Sequence, residues 1–432
     1  MKEKINIFWF RRDLRSEDNV GFNEALKSGL KIIPIFIYDP TILEELPKED
    51  ARLTFIHQLL SQVNSELKKV ETSLATYNDT PFNVFEKLIS EFDITAVFTN
   101  HDYEPYAIQR DIQIKDLLEN NKIAFQTFKD QVIFERNEIV KDDGLPYVVF
   151  TPYANKWKSK LKPEQIQSEN IELQKSNFIQ HNFPFLSLKD IGFKKSTIQP
   201  KSFDLSVLTL KNYAEHRDFP AVDSTTHLSP YLRFGAVSIR AVFAKAFQEN
   251  NKKLVDELIW REFFMQILWH FPHTVTQSFK AQYDEIHWRN NEEEFTKWCE
   301  GNTGYPMVDA GMRELNATGN MHNRVRMVVA GFLCKHLLID WRWGEAYFAE
   351  KLLDYEQSSN IGNWQWAAGS GVDAAPYFRI FNPTEQVKKF DKDLKYIKKW
   401  VPEVEEFSYP RPIVDHKEAR ERCLTTYKIA LA

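Results

Sequence analysis

Cysteine is nearly absent. Cys299, Cys334 and Cys423 are odd in number and far apart in 432 residues, which excludes a disulfide frame and a zinc or iron–sulfur site. No apolar run approaches the ~20 residues that a membrane-spanning helix needs. The opening MKEKINIFWFRRD lacks the apolar core and cleavage site of a secretory leader. These absences lead to the expectation of a cytoplasmic protein with no membrane association. Positive charge is not in excess either, since the net charge is −5. That removes a chain-wide signal for nucleic-acid binding but leaves room for a local basic face. Neither a GxGxxG turn nor a Walker loop occurs, so a dinucleotide or nucleoside triphosphate site of those types is unsupported. Internal repeats and low-complexity segments are missing as well.

What is present divides the chain in three. Short apolar runs at Ile5–Phe10, Ile32–Tyr38, Leu74–Tyr77, Ala96–Thr99 and Ile123–Phe128 alternate with helical patterns at Val20–Ser28, Arg52–Val70, Phe82–Phe92 and Tyr106–Asn120. Alternation of this kind predicts an α/β domain over residues 1–135, a doubly wound, Rossmann-like parallel sheet. Ligands of such sheets bind beyond the carboxyl ends of the strands, where the loops Arg11–Asp18 and Asn100–Tyr106 are expected. Residues 136–205 read as a long, partly ordered connector, although FTPYANKW (Phe150–Trp157) is more aromatic than a free linker. Over residues 206–432 the strand signals vanish. Helical patterns at Val207–Arg217, Ser238–Asn250, Val255–Phe271, Glu292–Glu300, Pro306–Thr318, Met321–Leu338, Trp343–Leu353 and Thr384–Trp400 predict an all-helical domain.

The chemistry concentrates between Gly319 and Asp373. Met321–Leu338 is mostly apolar and free of proline, yet Asn323, Arg324 and Arg326 crowd one of its turns. Burying a guanidinium costs several kcal/mol unless a carboxylate meets it, and Asp354 and Glu356 are the nearest supply. Asn360, Trp364 and Trp366 follow, so the stretch reads as a polar pocket in an apolar core, suited to a cofactor. An Arg–Asp pair and an asparagine amide can tune a ring system whose charge and protonation change on reduction; a structural ion pair is the bland alternative. Glu257, Trp260 and Arg261 fall at i, i+3 and i+4 of one helix, where they can engage a base edge, a base face and a phosphate. The alternative there is an intrahelical Glu–Arg pair. The hydroxyls of Thr225, Thr226 and Ser229 precede a helix and suit either a phosphate or an ordinary N-cap.

Long motifs in a fixed order then carry a resemblance over nearly the whole chain: WFRRDLR (Trp9–Arg15), YAEHRDFP (Tyr213–Pro220), TTHLS (Thr225–Ser229), ELIWREF (Glu257–Phe263), TGYPMVDAGM (Thr303–Met312), MHNRVRM (Met321–Met327) and NWQWAAGSGVDAAPYFRIFNP (Asn363–Pro383). The chain resembles the photolyase/cryptochrome flavoproteins, most closely class I cyclobutane pyrimidine dimer photolyases. The resemblance implies light-driven repair of such dimers by a monomer acting on UV-damaged DNA, with one U-shaped FAD, reduced when active. It places Tyr213, Thr225, Thr226, His227, Leu228 and Ser229 at the phosphates. Arg326, Asp354, Tyr355, Glu356 and Asn360 would surround the isoalloxazine and ribityl chain, with glutamate at 356 where the family usually has aspartate. Trp364, Trp341 and Trp288 match the electron-transfer tryptophans. Glu257, Trp260, Asn323, Arg324 and Met327 match contacts to the flipped dimer, and Arg217, Arg261 and Gln386 match positions near the DNA backbone. Tyr103–Ala107 (YEPYA) looks like members whose antenna is a deazaflavin or flavin rather than folate. The rival readings are a blue-light signalling cryptochrome and a 6-4 photolyase. Against the first stand Asn360 and the dimer-facing set; against the second stands His-Asn-Arg at His322 in place of His-His-Leu.

Overall fold

A computed structural model describes residues 2–432. By contacts the chain splits into two units: Met1–Glu135 with Lys160–Gln199 and Leu228–Gln248, and Arg136–Ser159 with Pro200–His227 and Glu249–Ala432.

The first unit is built on a five-stranded parallel sheet in the order β3-β2-β1-β4-β5. Its strands are β1 (Lys4–Phe10), β2 (Lys31–Tyr38), β3 (Ala75–Asn78), β4 (Asp93–Asn100) and β5 (Ala124–Phe128), close to the runs expected from sequence. Strand β1 is buried from Ile5 to Phe10, as a central parallel strand covered on both faces requires. Alternate residues of β1 feed separate cores, Phe8 and Phe10 on one side, Ile5, Ile7 and Trp9 on the other. The direction of strand order reverses between β1 and its two neighbours β2 and β4, and such a switch point opens a crevice beyond the strand ends. In that region the Arg11 and Arg110 guanidiniums each lie 5.0 Å from the Trp9 ring. Tyr106 donates its hydroxyl proton to Asp39. Burial opposes the charge of Asp102, but Arg12, Arg11, Arg110 and Arg233 outweigh it and hold the carboxyl well below its usual range.

The expected connector, residues 136–205, is not one. Phe150–Lys160 is a helix whose Trp157 indole donates to the buried Glu262 carboxylate at 2.6 Å, so it belongs to the helical unit. Phe178 instead bridges Ile32 of β2, and the Thr76 N–H donates to the Pro184 carbonyl at 2.9 Å, so this stretch lines the sheet. The expected continuous helical domain is interrupted too. Helix Ile239–Gln248 joins the sheet unit because Arg240 bonds Asp18 (3.0 Å) and Asp130 (2.8 Å), which also binds Arg15 at 2.8 Å. Gly235 sits at φ 61, and a Cβ there would overlap the Arg12 backbone, so only glycine lets this segment approach.

The helices that matter for the site in the second unit are α1 (Lys252–His270), α2 (Pro306–Thr318), α3 (Asn323–Gly331), α4 (Trp341–Lys351), α5 (Gln357–Ala368), α6 (Pro383–Phe390) and α7 (Lys395–Trp400). Two expected helices differ. Met321–Leu338 starts at Asn323, where His322 caps it, and widens after Gly331 into a π-helical turn, Phe332–Leu337. Thr384–Trp400 is two helices: the Asp391 carboxylate accepts from the N–H groups of Tyr396 and Ile397, and Leu394 takes φ 55, which breaks the rod. Residues from α2, α3, α4 and α5 form one buried core that also holds Trp298, Trp341 and Trp364. Among the described residues no helix is long and apolar enough to cross a membrane.

Candidate functional site

A cleft opens between α3, α4 and α5. Counted with the solvent at its mouth it holds about 630 Å³, within the range of small-molecule sites. Asn323, Arg326, Met327, Asp354, Tyr355, Glu356, Asn360 and Trp364, all singled out in the sequence, line it. Trp366, Ser359, Asn363 and Phe348 line it as well. Trp366 belongs to the pocket expected from sequence, whereas nothing in the sequence pattern marks Ser359, Asn363 or Phe348 as part of it.

Each polar wall group is held from behind. Arg326 donates through Nε to the Met321 carbonyl (2.7 Å) and through one NH2 to both oxygens of Asp354 (3.1 and 3.0 Å). The pair therefore exists, and Asp354 rather than Glu356 completes it. Glu356 is buried and forms the N-cap of α5, its carbonyl accepting from the Asn360 N–H at 2.8 Å. Asn360 uses its amide nitrogen twice, on the Glu345 carbonyl (3.1 Å) and the Glu345 carboxylate (2.9 Å). A main-chain carbonyl only accepts, so this bond fixes the amide flip and leaves Oδ1 as the atom for the cleft. Burial holds the Glu345 carboxyl above its usual range, against the bonds from Asn360 and Tyr355. Met327, Ala330, Phe348, Leu352 and Trp364 supply an apolar lining beside these groups. An aromatic-walled slot with one fixed ion pair and one fixed acceptor suits a flat heteroaromatic ring with a polar edge, so the residues fit a flavin.

Trp364 is buried, with Phe348 at 5.0 Å and Trp298 at 6.1 Å, both edge-on. A Cβ on Gly344 would overlap the Trp364 ring, so glycine is required there. Trp341 is buried in the same core, and the half-buried Trp288 packs against it, edge-on to Tyr427 at 6.0 Å. Neither lines the cleft.

Outside the lining of the cleft, Glu257 of α1 pairs with Arg217 and with Lys253 (3.4 Å). Trp260 stacks on Phe150 at 3.7 Å and 5°, which covers one ring face; the aromatic FTPYANKW segment was the sequence signal for that partner. Arg324 bonds Asp218 at 2.9 Å and lies 4.3 Å over the Phe390 ring. Gln386 sits on α6. In the hydroxyl-rich segment Thr226 and Tyr213 are buried, His227 takes φ 51 and bonds Asp223 at 2.6 Å, and the buried Ser224 Oγ has no partner. The helix Ser229–Arg233 begins at Leu228 with no side-chain cap bond, so ordinary N-capping does not account for these hydroxyls.

His322 caps α3 by accepting the Arg324 N–H at Nδ1 (3.2 Å), and the ring is buried beside the Arg217 backbone. Burial pushes its pKa down to about 4 from 6.5. The unfolded chain then binds the extra proton first, so stability falls as pH drops from 6.5 toward about 4. His322→Asn keeps an acceptor at the cap, and its unfolding midpoint is expected to drop less than the parent's between about pH 7 and about pH 5. His270, His336 and His416, also lowered by burial, contribute equally to both proteins. Equal drops in the two thermal scans would remove His322 from the acid response.

The model of the FAD binding domain of DNA photolyase matches residues 254–408, and that of the DNA photolyase domain matches residues 6–171. A deoxyribodipyrimidine photo-lyase of Agrobacterium fabrum is 36% identical, covering 98% of this chain and 97% of its own. A class III photolyase structure from Agrobacterium tumefaciens superposes with TM-score 0.86 at 33% identity, covering 100% of this chain and 98% of that one. An archaeal photolyase from Sulfolobus tokodaii, described with two FAD molecules, superposes with TM-score 0.84 at 36% identity, covering 98% and 99%.

Proposed function

The chain belongs to the DNA photolyase family, and from that premise we infer that it repairs cyclobutane pyrimidine dimers in DNA under light, with FAD as its cofactor. The observation that carries the reading is one cleft that presents the Arg326–Asp354 pair, the turned-out Asn360 oxygen, and Asn323 with Met327. FAD, reduced and photoexcited, would supply the one-electron chemistry by which the cyclobutane ring is split, with the electron returned afterwards.

The chain's own groups bind and tune. Arg326 and Asp354 would hold the ring's polar edge, Tyr355 and Glu356 its side chain, and Asn360 would accept a hydrogen bond from a protonated ring nitrogen. Tyr213, Thr225, Thr226, His227, Leu228 and Ser229 would hold the phosphates. Asn323 and Met327 face the lesion side, and Glu257 would accept a hydrogen bond from a base N–H of the dimer, while its partner Arg217 would put positive charge beside the extra electron. Glu257 is held in place by Arg217 and Lys253. Trp260, stacked on Phe150 and tilted against Phe264 at 5.5 Å, would meet a base and Arg324 the dimer, while Arg217, Arg261 and Gln386 would meet the backbone. Flipping of the damaged bases out of the stack is a property of this class of enzyme, not a deduction from this cleft. Trp288, Trp341 and Trp364 would pass electrons inward from the surface. A flavin-type antenna in the sheet unit belongs to the same reading, supported by the relative described with two FAD molecules.

Illumination of the reduced protein with dimer-containing DNA is expected to remove dimers, and Asn323→Ala is expected to lower the yield roughly tenfold, the value of one hydrogen bond to a charged group. Loss of no dimers by a flavin-loaded protein would favour a light receptor instead. Parental yield from the alanine variant would sink the role of Asn323.

A further inference from the structure

Trp260, the ring expected to meet a base, is not bare. Phe150 lies on it at 3.7 Å and 5°, Phe264 at 5.5 Å and 28°, and Phe263 stands edge-on at 5.5 Å. A base that stacks on this indole must take the place of a ring that already lies along it, Phe150 or Phe264. Phe264 is buried at 5% exposure, and it lies so close to Gly362 of α5 that a Cβ there would overlap its ring. Phe150 is half-buried and opens the helix Phe150–Lys160, behind the exposed Leu145 and Val149. Its fixed point is the main chain, whose N–H donates to the Asp373 carboxylate at 3.3 Å. The side chain can turn away without breaking that bond, so Phe150 is the ring that yields.

The form of the stack favours exchange as well. Aromatic side chains prefer offset or edge-on pairs with centroids about 4.5–7 Å apart, because face-to-face contact sets the negative faces of two rings against each other. At 3.7 Å and 5° Phe150 and Trp260 lie nearly face to face, whereas the Trp260–Phe263 and Phe150–Phe263 pairs beside them are edge-on at 5.5 and 5.9 Å. A nucleobase, by contrast, uses its face on aromatic platforms, whichever base it is.

We propose that Phe150 holds the place of a lesion base on Trp260 and is exchanged for it when DNA binds. This rests on the repair reading above, in which Trp260 meets a base. The consequence is a competition: the Phe150 stack is broken before the base stack forms, so the parent binds a dimer less tightly than an uncovered indole would. Until then the phenylalanine keeps water off the indole face. The opposite arrangement, Phe150 as a fixed backing for a base on the Phe264 side, requires the buried ring to move and the half-buried one to stay.

The test measures binding of a single-stranded tetranucleotide with one dimer, and of the same tetranucleotide undamaged, to the flavin-loaded parent, F150A, F150W, W260A and W260A/F150A. F150A is expected to bind the dimer roughly two- to tenfold more tightly than the parent, the value of one aromatic pair. F150W, whose larger ring covers more of the indole, is expected to bind it more weakly than the parent. With Trp260 already removed, losing Phe150 is expected to change nothing, because the two residues act as one unit. The undamaged strand is expected to follow the same order of Ala, Phe and Trp at residue 150, since stacking is open to every base. Weaker binding by F150A is the sign of a backing ring and would overturn the exchange, as would equal binding by all three or a gain that persists without Trp260. Flavin content per chain reports folding, and F150W decides by itself if the alanine protein is not intact: binding as tight as the parent's overturns the exchange. A parent that binds damaged and undamaged strands equally well would count against lesion repair, while the order on the undamaged strand would still decide the exchange.

Discussion

An Asp354→Ala protein is expected to purify without its flavin and to unfold at a lower temperature than the parent. The carboxylate is almost buried, with 8% of its side chain exposed, and it takes both bonds from one nitrogen of Arg326. Removing one member of a buried pair leaves the other charge without its solvent and without its partner. Such losses run to about 3–5 kcal/mol, and the partial exposure of Arg326 draws this one toward the lower end. The cofactor suffers more than the fold. Arg326 is also tied to the Met321 carbonyl, so the guanidinium cannot simply swing into solvent to find water. It stays in the cleft as an unpaired cation, and the slot loses the geometry that suits a ring edge. Asp354→Asn keeps an acceptor but not the charge and is expected to fall between alanine and the parent in flavin retained per chain. Full retention in the alanine protein would mean that the pair is structural, the alternative that the sequence left open.

The same pair shows how far the sequence could be read. An arginine in an apolar helix demands a carboxylate, and that demand narrows the partner to Asp354 or Glu356, because an energetic debt of several kcal/mol must be settled nearby; only the fold selects Asp354. The five strands were legible for a similar reason: a parallel sheet covered on both faces needs unbroken apolar runs, and few other structures do. Glu345 was not legible. It sits in a helix of ordinary amphipathic pattern, and its role depends on Asn360 lying 15 residues away in sequence but within 3 Å in space. Gly344 was missed likewise, since only the Trp364 ring packed against it explains why no side chain fits. The division of residues 136–205 between the two units was hidden because proline-rich and lysine-rich composition looks the same whether a segment is free or laid along a sheet. The break at Asp391 was hidden as well: the apolar period continues through it, and the capping bonds that end one helix and start the next are tertiary choices.

Trp364→Phe is expected to separate two activities that share the cleft. In the parent, light should draw an electron through the protein to an oxidised flavin; in the variant that photoreduction is expected to fall by more than about a hundredfold. The reason is redox and not packing. Phenylalanine fits the same slot against Phe348 and Gly344, but its ring is far harder to oxidise, and each ~59 mV added to a one-electron step costs about a factor of ten. Trp364 is the only one of the three proposed relay rings that lines the cleft, so losing it should cut the route at its inner end, whereas Trp341 and Trp288 lie deeper in the core and at its edge. Repair itself needs no electron from this route once the cofactor has been reduced chemically. A dithionite-reduced Trp364→Phe protein is therefore expected to split dimers at close to the parental yield. Flash absorption on the oxidised protein and dimer loss on the reduced one measure the two halves separately. Parental photoreduction in the variant would take Trp364 out of the relay and point to another ring at the cleft, Trp366 first, as the donor. Loss of repair in the reduced variant would instead make Trp364 part of the wall that shapes the lesion cleft.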